Sequence, residues 1–539
     1  MLMHNDEQGP MTLAINDSQM DLHVISFTGQ EALNQPYRFD IDLVSEHGAI
    51  DCNTLLGRGA YLSFGPQPQG VHGQISEVSH VQAGTGLSLY RITLTPDLQR
   101  LANAPKARTF NGMRVPQIID LLLQEHGLGT AAYRFERMIG VYPPRDMCVQ
   151  YQETDLHLLQ RLCEEEGISF RFEHNVSGHV LIFADDPASF PELSPSRGML
   201  ITDLTDNGQN GIAHFAERLT LLPSYSSHGG DNLAFLDQHR STSTRVTTLE
   251  VDLPPAVVLP FGVRGDQSTR QRQMSVRALE RLRCERRVIS GRSSQPALVS
   301  GQIMQVTEHP DRLMNDQWLL TEIRHEGSQL AKLKGASAED IAAIIRATQT
   351  IRALSWSPLQ PAQSSAASNV RASDCQYRNE FSVIPWAMPF RPRLQHRKPA
   401  ITGIHSAVLA QPHTFDALGR LAVRFGWQSV GSDQGAQHSW AALCSAVQIQ
   451  ADTTAVSVGF FDDDPDQPVI CGVLKAATAE QLKADVRCSG VAEGDDKHVR
   501  LAPDQRLDLD SVQPITLHTA RATIEIAAHR VTFHSREDD

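Results

Sequence analysis

Hydrophobic and polar positions alternate over short stretches through much of the first hundred residues. Tyr37, Phe39, Ile41 and Leu43 are separated by polar neighbours, and this period of two predicts a strand with one face in a core. Leu22 to Phe27, Val71 to Val78 and Leu87 to Leu94 read as further strands, with glycines such as Gly57 and Gly59 at turns. From Val115 to His126 the period becomes helical. Ile118, Ile119, Leu122 and Leu123 fall on one face, and Gly127 stands where a helix stops. A cleaner helix begins at Thr154, the expected N-cap, with Asp155 favouring the positive helix end. Leu156, Leu159, Leu162 and Cys163 form its apolar face and Gly167 ends it. Ile168, Phe170 and Phe172, then Val180 and Ile182, return to alternation.

Residues 186–265 read as irregular, with Pro and Ser clusters. Ser268 to Glu285 is again helical, with Val276, Leu279 and Leu282 as its apolar face. Its other faces carry Arg270, Arg272, Arg277, Arg281 and Arg283. A strand pair follows, Gly301 to Thr307 and Trp318 to His325. Ser337 to Leu354 predicts an isolated amphipathic helix, and Ser355 to Ser368 a linker. After Ala400 the chain is β-like, with Leu421, Val423, Phe425 and Trp427 alternating. The tail repeats short alternations at Ile515–Leu517, Ile524–Ile526 and Val531–Phe533. Strands this short are expected to need other chains or a neighbouring domain to bury an apolar face.

At 539 residues the chain exceeds one domain, and about three or four are expected. A hydrophobic share of 41% with 20% charged residues supports packed cores over wholesale disorder. The net charge of -14 argues against a general nucleic-acid binder. The eight cysteines form no CxxC pair and read as free, mostly buried thiols from a reducing compartment. The N-terminus has no signal-peptide pattern, and no run of about 18 apolar residues suggests a membrane span.

The order of residues from Arg108 to Asp186 closely resembles the VgrG family, the trimeric spikes of type VI secretion, related to the hub and needle proteins of contractile phage tails. Arg108 to Asn111, with Val115, Pro116, Ile118 and Ile119, resembles the segment before the family's first hub helix. Tyr142, Arg145, Cys148, Gln150, Glu153, Asp155, Arg161, Glu165, Glu166 and Gly167 resemble its most recognisable run. Phe27, Tyr37 and Phe39 resemble the opening strands; Gly301, Trp318 and His325 resemble the end of the hub; Tyr377, Asn379, Phe381 and Phe390-Arg391-Pro392 resemble the crossing into the neck. The resemblance weakens in the barrel, where only Ser439-Trp440 and an alanine-rich stretch stand in for a tryptophan-rich strand.

The resemblance implies a mainly β fold with minor α. It implies a hub of two small β-barrels with helical insertions, an OB-type β-barrel neck, and a short C-terminal β-strand tail forming an intertwined trimeric β-prism. The expected domains are a hub at 1–335, a helical insertion and linker at 336–398, a degenerate OB-type barrel at 399–480 and a short needle segment at 481–539. It implies a homotrimer seated on an Hcp-like tube hexamer, contacting baseplate proteins, with a PAAR-type tip protein or effectors at the needle. It would be assembled in the bacterial cytoplasm and ejected, meeting the target membrane mechanically. Alternatives are a phage or extracellular injection hub, a spike scaffold with lytic or toxin activity, and an adaptor that has lost puncturing function.

Candidate chemistry weakens under inspection. No catalytic, cofactor-binding or metal-binding residue is assigned, so no enzyme and no cofactor are expected. Asp462, Asp464 and Asp466 have the spacing of a calcium loop, but Gln467 and Val473 stand where glycine and glutamate belong. Glu164, Glu165 and Glu166 are adjacent on a helix and cannot face each other as an acid/base pair; a solvated helix end is expected. His174 and His179 flank a turn without a third ligand, and His529 and His534 lack the close HxH of iron-holding phage needle tips. The arginine-rich helix is expected to be solvated or paired with acidic residues.

Overall fold

The computed structural model describes residues 11–16, 22–45, 50–65, 69–83, 87–193, 199–201, 211–220, 225–229, 241–245, 258–260, 267–329, 343–344, 346, 348, 376–416, 418–428, 438–450, 453–474, 497–501, 507–511, 515–518, 522–527 and 530–535. They fall in two compact units, Met1–Leu474 and Lys475–Asp539. Among the described residues no helix is long and apolar enough to cross a membrane.

The first unit begins with β1 (Thr12–Ile15), β2 (His23–Ala32), β3 (Gln35–Ser45), β4 (Gly59–Ser63), β5 (Gly70–Ala83) and β6 (Leu87–Thr95). Tyr37, Phe39, Ile41 and Leu43 all point into the core, as the alternation in β3 predicts. Opposite Phe39 lies Gly29, where a Cβ would fall within 2.1 Å of the ring. The ring thus packs over bare backbone, an aromatic covering a cross-strand glycine.

An excursion follows: β7 (Lys106–Met113), α1 (Val115–Glu125), β8 (Tyr133–Glu136), β9 (Arg145–Glu153), α2 (Asp155–Glu166), β10 (Ser169–Asn175) and β11 (Gly178–Ala184). Both predicted helices form. The Thr154 hydroxyl accepts the His157 N–H at 3.1 Å, and Gly167 closes α2 with φ +72, the left-handed region that favours glycine.

The chain returns through β12 (Met199–Ile201), β13 (Gly211–Leu219), β14 (Tyr225–Gly229), β15 (Ser241–Arg245), β16 (Val258–Pro260), α3 (Gln267–Arg286), β17 (Arg287–Ser293), β18 (Ile303–Thr307), β19 (Gln317–Ser328) and β20 (Gln376–Pro385). The expectation of an irregular 186–265 is corrected at β13, a nine-residue strand paired with β17. A bulge between Ala213 and Phe215, with His214 at φ +58, breaks the alternation that would have revealed it.

Twelve strands join in one sheet, ordered β1-β4-β5-β6-β3-β2-β19-β18-β12-β13-β17-β20. A further pairing of β19 with β20 closes the second six into a ring. Trp318, Ile289, Met304, Phe381 and Val383 fill that half. The predicted helix at Ser337–Leu354 lies outside the described residues except for 343, 344, 346 and 348, which are helical.

A closed five-stranded barrel completes the unit: β21 (His405–Leu409), β22 (Leu421–Phe425), β23 (Ser439–Leu443), β24 (Ala455–Phe460) and β25 (Pro468–Leu474). The ring order β21-β22-β23-β25-β24, with β23 and β25 parallel, is that of an OB-type barrel. The alanine-rich stretch that blurred the resemblance is β23, and Ala441 is buried in the barrel core beside Leu421, Val423, Phe425, Val456, Val458 and Ile470. Small side chains there still alternate inward and outward, so closure survives the loss of tryptophans.

The second unit contains β26 (Lys497–Leu501) paired with β27 (Leu507–Ser511), and a meander of β28 (Ile515–His518), β29 (Ala522–Ala527) and β30 (Arg530–Ser535). β29 is hydrogen-bonded on both edges within one chain, and Leu517, Ile524 and Phe533 share a register row.

Candidate functional site

The densest chemistry surrounds α2, and it is a buried network of ions. Glu164, Glu165 and Glu166 are all buried, which overturns the solvated helix end. They point three ways, as adjacent helical residues must. Glu164 accepts the backbone N–H groups of Gln395 and His396 at 2.8 Å each, and the His396 ring at 2.7 Å. Glu165 bridges Arg145 and Arg161, both at 2.9 Å. Glu166 bridges Arg145 at 2.8 Å and Arg270 at 2.5 Å. Arg161, 1% exposed, also holds Glu153 at 2.6 Å. Each buried carboxylate here meets a cation or backbone donors, the condition under which buried charge is tolerated.

Of the two expectations for α3, pairing with acidic residues holds at Arg270 and Arg277, on a buried rather than a solvated face. Arg270, Met274, Arg277, Arg281 and Cys284 recur at helical spacing, and all five are buried. The arginines therefore line an inward face. Arg277 bonds Asp185 at 2.5 Å and also donates to the Glu166 carbonyl. Arg281 donates to the Glu164 and Pro392 carbonyls. Arg391 joins Glu280 at 2.7 Å and donates to the Gly167 and Asp185 carbonyls at 3.1 and 2.6 Å. Asp185 further accepts the Ile139 and Gly140 N–H groups and the Tyr142 hydroxyl at 2.7, 2.8 and 2.5 Å.

The same network reaches the barrel. The aspartates singled out for calcium spacing hold Lys398, whose ammonium lies 2.5 Å from both Asp464 and Asp466. Asp466 also accepts the Val149 N–H at 2.6 Å. Asp462 is exposed and takes no part. Gln428 donates to Thr109 and Ser439 at 2.6 and 3.0 Å, and Asn111 donates to the His438 carbonyl at 2.6 Å. The barrel is thus hydrogen-bonded to β7 and β9 of the hub.

Burial alone would raise the Glu165 carboxyl, but Arg145 and Arg161 overcome it and hold the group at about 2. Asp185 is likewise lowered, against burial, by Tyr142, backbone N–H groups and Arg277. These acids are fixed as anions and fully partnered. They can clamp but cannot shuttle protons.

His174 and His179 do lie in the β10–β11 hairpin, but with their ring nitrogens packed inside. His179 meets His72 through facing Nδ1 atoms 3.1 Å apart and accepts the Asp97 N–H at 3.1 Å. Burial pushes His174 down to about 3 and His179 to about 4. Among the described residues no group of three or more His, Cys, Asp or Glu could hold a metal ion. The side chains of His529 and His534 lie outside the described residues.

Residues 30–331, more than half of the chain, match the phage tail baseplate hub (GPD) family. Over 503 residues the chain is 36% identical to the type VI secretion system spike protein VgrG4b of Pseudomonas aeruginosa, covering 87% of this chain and 56% of that protein. The chain belongs to the VgrG spike family. VgrG5 of the same organism is 34% identical, covering 87% of this chain and 57% of that protein. The chain spans about half the length of these VgrG relatives. Among solved structures, an Escherichia coli type VI secretion component described as similar to the T4 tail proteins gp27 and gp5 aligns with TM-score 0.61 and 21% identity, covering 86% of this chain and all of that one. That likeness shows the hub fold. A more distant VgrG relative, 27% identical, is named an actin cross-linking toxin.

The residues that carried the resemblance now have a physical role. Tyr142, Arg145, Glu153, Arg161, Glu165, Glu166 and Arg391 are members of one buried network. What sequence reasoning missed was their mutual contact, together with Asp185 and Lys398. An isolated charged residue gives no periodic signal; the available clue was an arginine spacing of seven and four along α3.

Proposed function

We propose that this chain is the hub and neck of a trimeric VgrG spike, working mechanically at the tip of a type VI secretion machine without a chemical step. The observation carrying this reading is the buried ionic joint, which ties β9, α2, α3, linker and barrel into one piece. A spike driven through a membrane must pass load between these parts, and a joint of multiply bonded charges resists sliding. Exposed apolar side chains on the barrel, Ile404, Phe415 and Leu418 at 69, 58 and 45%, suit contact with further copies. The expected partners are two more copies, an Hcp-like ring below, baseplate proteins, and a PAAR-type tip or effector beyond the tail. The expected route is assembly in the cytoplasm followed by ejection. The domain bounds proposed for it are 1–335, 336–398, 399–480 and 481–539.

The test is the native mass of the purified chain. Three copies of 59.5 kDa are expected, and a monomer across the working concentration range would refute the reading. Truncation after about residue 495 should then leave a soluble hub with weakened binding of a PAAR-type tip or effector, and unchanged tip binding would refute that role of the tail.

A further inference from the structure

The five-stranded barrel carries two exposed free thiols, Cys444 and Cys471. They stand 27 residues apart in the chain, yet β23 and β25 run parallel with Ala442 opposite Val469 and Leu443 opposite Ile470. The Cys444 N–H continues that ladder, donating to the Ile470 carbonyl at 3.1 Å. In a parallel ladder this bond places Cys444 directly opposite Cys471. Neighbouring strands lie about 4.8 Å apart, inside the roughly 4.4–6.8 Å between Cα atoms that a disulfide spans.

The side chains also share a face. Ile470 and Ala441 are buried, whereas Cys471 and Cys444 are both exposed on the outer side of the barrel. Cys471 further sits in a β-bulge, where Ser457 pairs with Gly472 and Val458 pairs with Ile470. The Cys471 Sγ rests beside Gly459 of β24 and donates to the Val469 carbonyl at 3.3 Å, so a rotation about its Cα–Cβ bond is the movement that brings it to Cys444. Cys148, Cys163 and Cys284, by contrast, are buried, and burial raises each thiol.

We propose that Cys444 and Cys471 form a reversible disulfide that fastens the β23–β25 seam when the protein meets an oxidising, disulfide-containing environment. The oxidant is a small-molecule disulfide such as oxidised glutathione. One protein thiolate attacks it, forming a mixed disulfide and releasing one glutathione thiolate. The second protein thiolate attacks the protein-side sulfur, closing the bond and releasing the second glutathione. Two protons leave the cysteines and two glutathione thiols are produced, so the exchange balances. This inference needs only the barrel and stands whether or not the spike reading does.

The experiment incubates the native full-length protein with oxidised glutathione, alkylates remaining thiols, and maps peptides by mass spectrometry without reduction. The expected result is an intramolecular cross-link between the Cys444 and Cys471 peptides, two fewer alkylated thiols per chain, and reversal by dithiothreitol. Cys444→Ser should leave Cys471 as a glutathione adduct or free thiol and abolish the cross-link, and Cys471→Ser should do the same for Cys444. Full alkylation of both after oxidation, adducts without closure in the unsubstituted protein, or cross-links only between chains would each overturn the proposal.

Discussion

The joint around α2 and the barrel that it holds reach order by opposite means. The barrel interior is apolar: Leu421, Val423, Phe425, Val456, Val458 and Ile470 exclude water and need only volume and alternation. The joint interior is ionic. Arg161, Arg145, Glu165 and Glu166 are buried too, but each depends on particular atoms of particular partners. The difference explains where the family pattern is sharp and where it drifts. Alanines can replace bulkier residues in the barrel if the neighbours still fill space. No such freedom exists where one guanidinium must satisfy two carboxylates.

The largest break is expected at the centre of the joint. Arg161→Met removes the cation shared by Glu153 and Glu165 and leaves two buried carboxylates short of charge. A loss of about 3–5 kcal/mol in chemical denaturation is expected. A loss below about 1 kcal/mol would mean that the joint behaves like surface charge.

Acid should separate the joint from the histidine pocket. His174 and His179 have folded values near 3 and 4, below the unfolded value of 6.5. The unfolded chain therefore takes up these protons first, and stability falls as pH drops below about 6.5, by up to about 1.4 kcal/mol per unit for each ring. Glu165, held near 2, contributes stability above its ordinary value and loses it only as pH falls from there toward 2. Melting temperatures should thus decline between pH 6 and 4. His174→Phe, which keeps an aromatic beside Tyr37 and Phe172, should flatten that decline. An unchanged slope in this variant would remove the pocket as its cause.

How much was legible beforehand follows the same division. α2 could be placed because its signals are local: Thr154 caps it and Gly167 stops it. β3 and β22 could be placed because alternation is local too. The inward face of α3 could not, since its partners Glu166 and Asp185 lie 104 and 92 residues away. Val276, Leu279 and Leu282 marked an apolar face that is real at Leu279 but is not the face meeting α2. β13 was hidden by one bulged histidine.

In the barrel, a conservative trim tests the tolerance that the comparison assigns to an apolar core. Ile470→Val deletes one methylene from a fully buried position and should cost about 0.5–1.5 kcal/mol. A loss as large as that of Arg161→Met would show that the barrel is as exacting as the joint.

The smallest effect isolates burial as the variable. Arg378 and Glu326 pair across β19 and β20 at 2.7 Å, as close as many pairs in the joint, but their side chains are 67% and 51% exposed. Water solvates both partners when the bond breaks, and holding two long side chains together costs entropy. Arg378→Ala should therefore change stability by less than about 0.5 kcal/mol, less still at high salt. A cost approaching that of Arg161→Met would place the strength of the joint in ion pairing itself. The expected near-neutral result places it in burial, which denies a carboxylate water when one of its cations is lost.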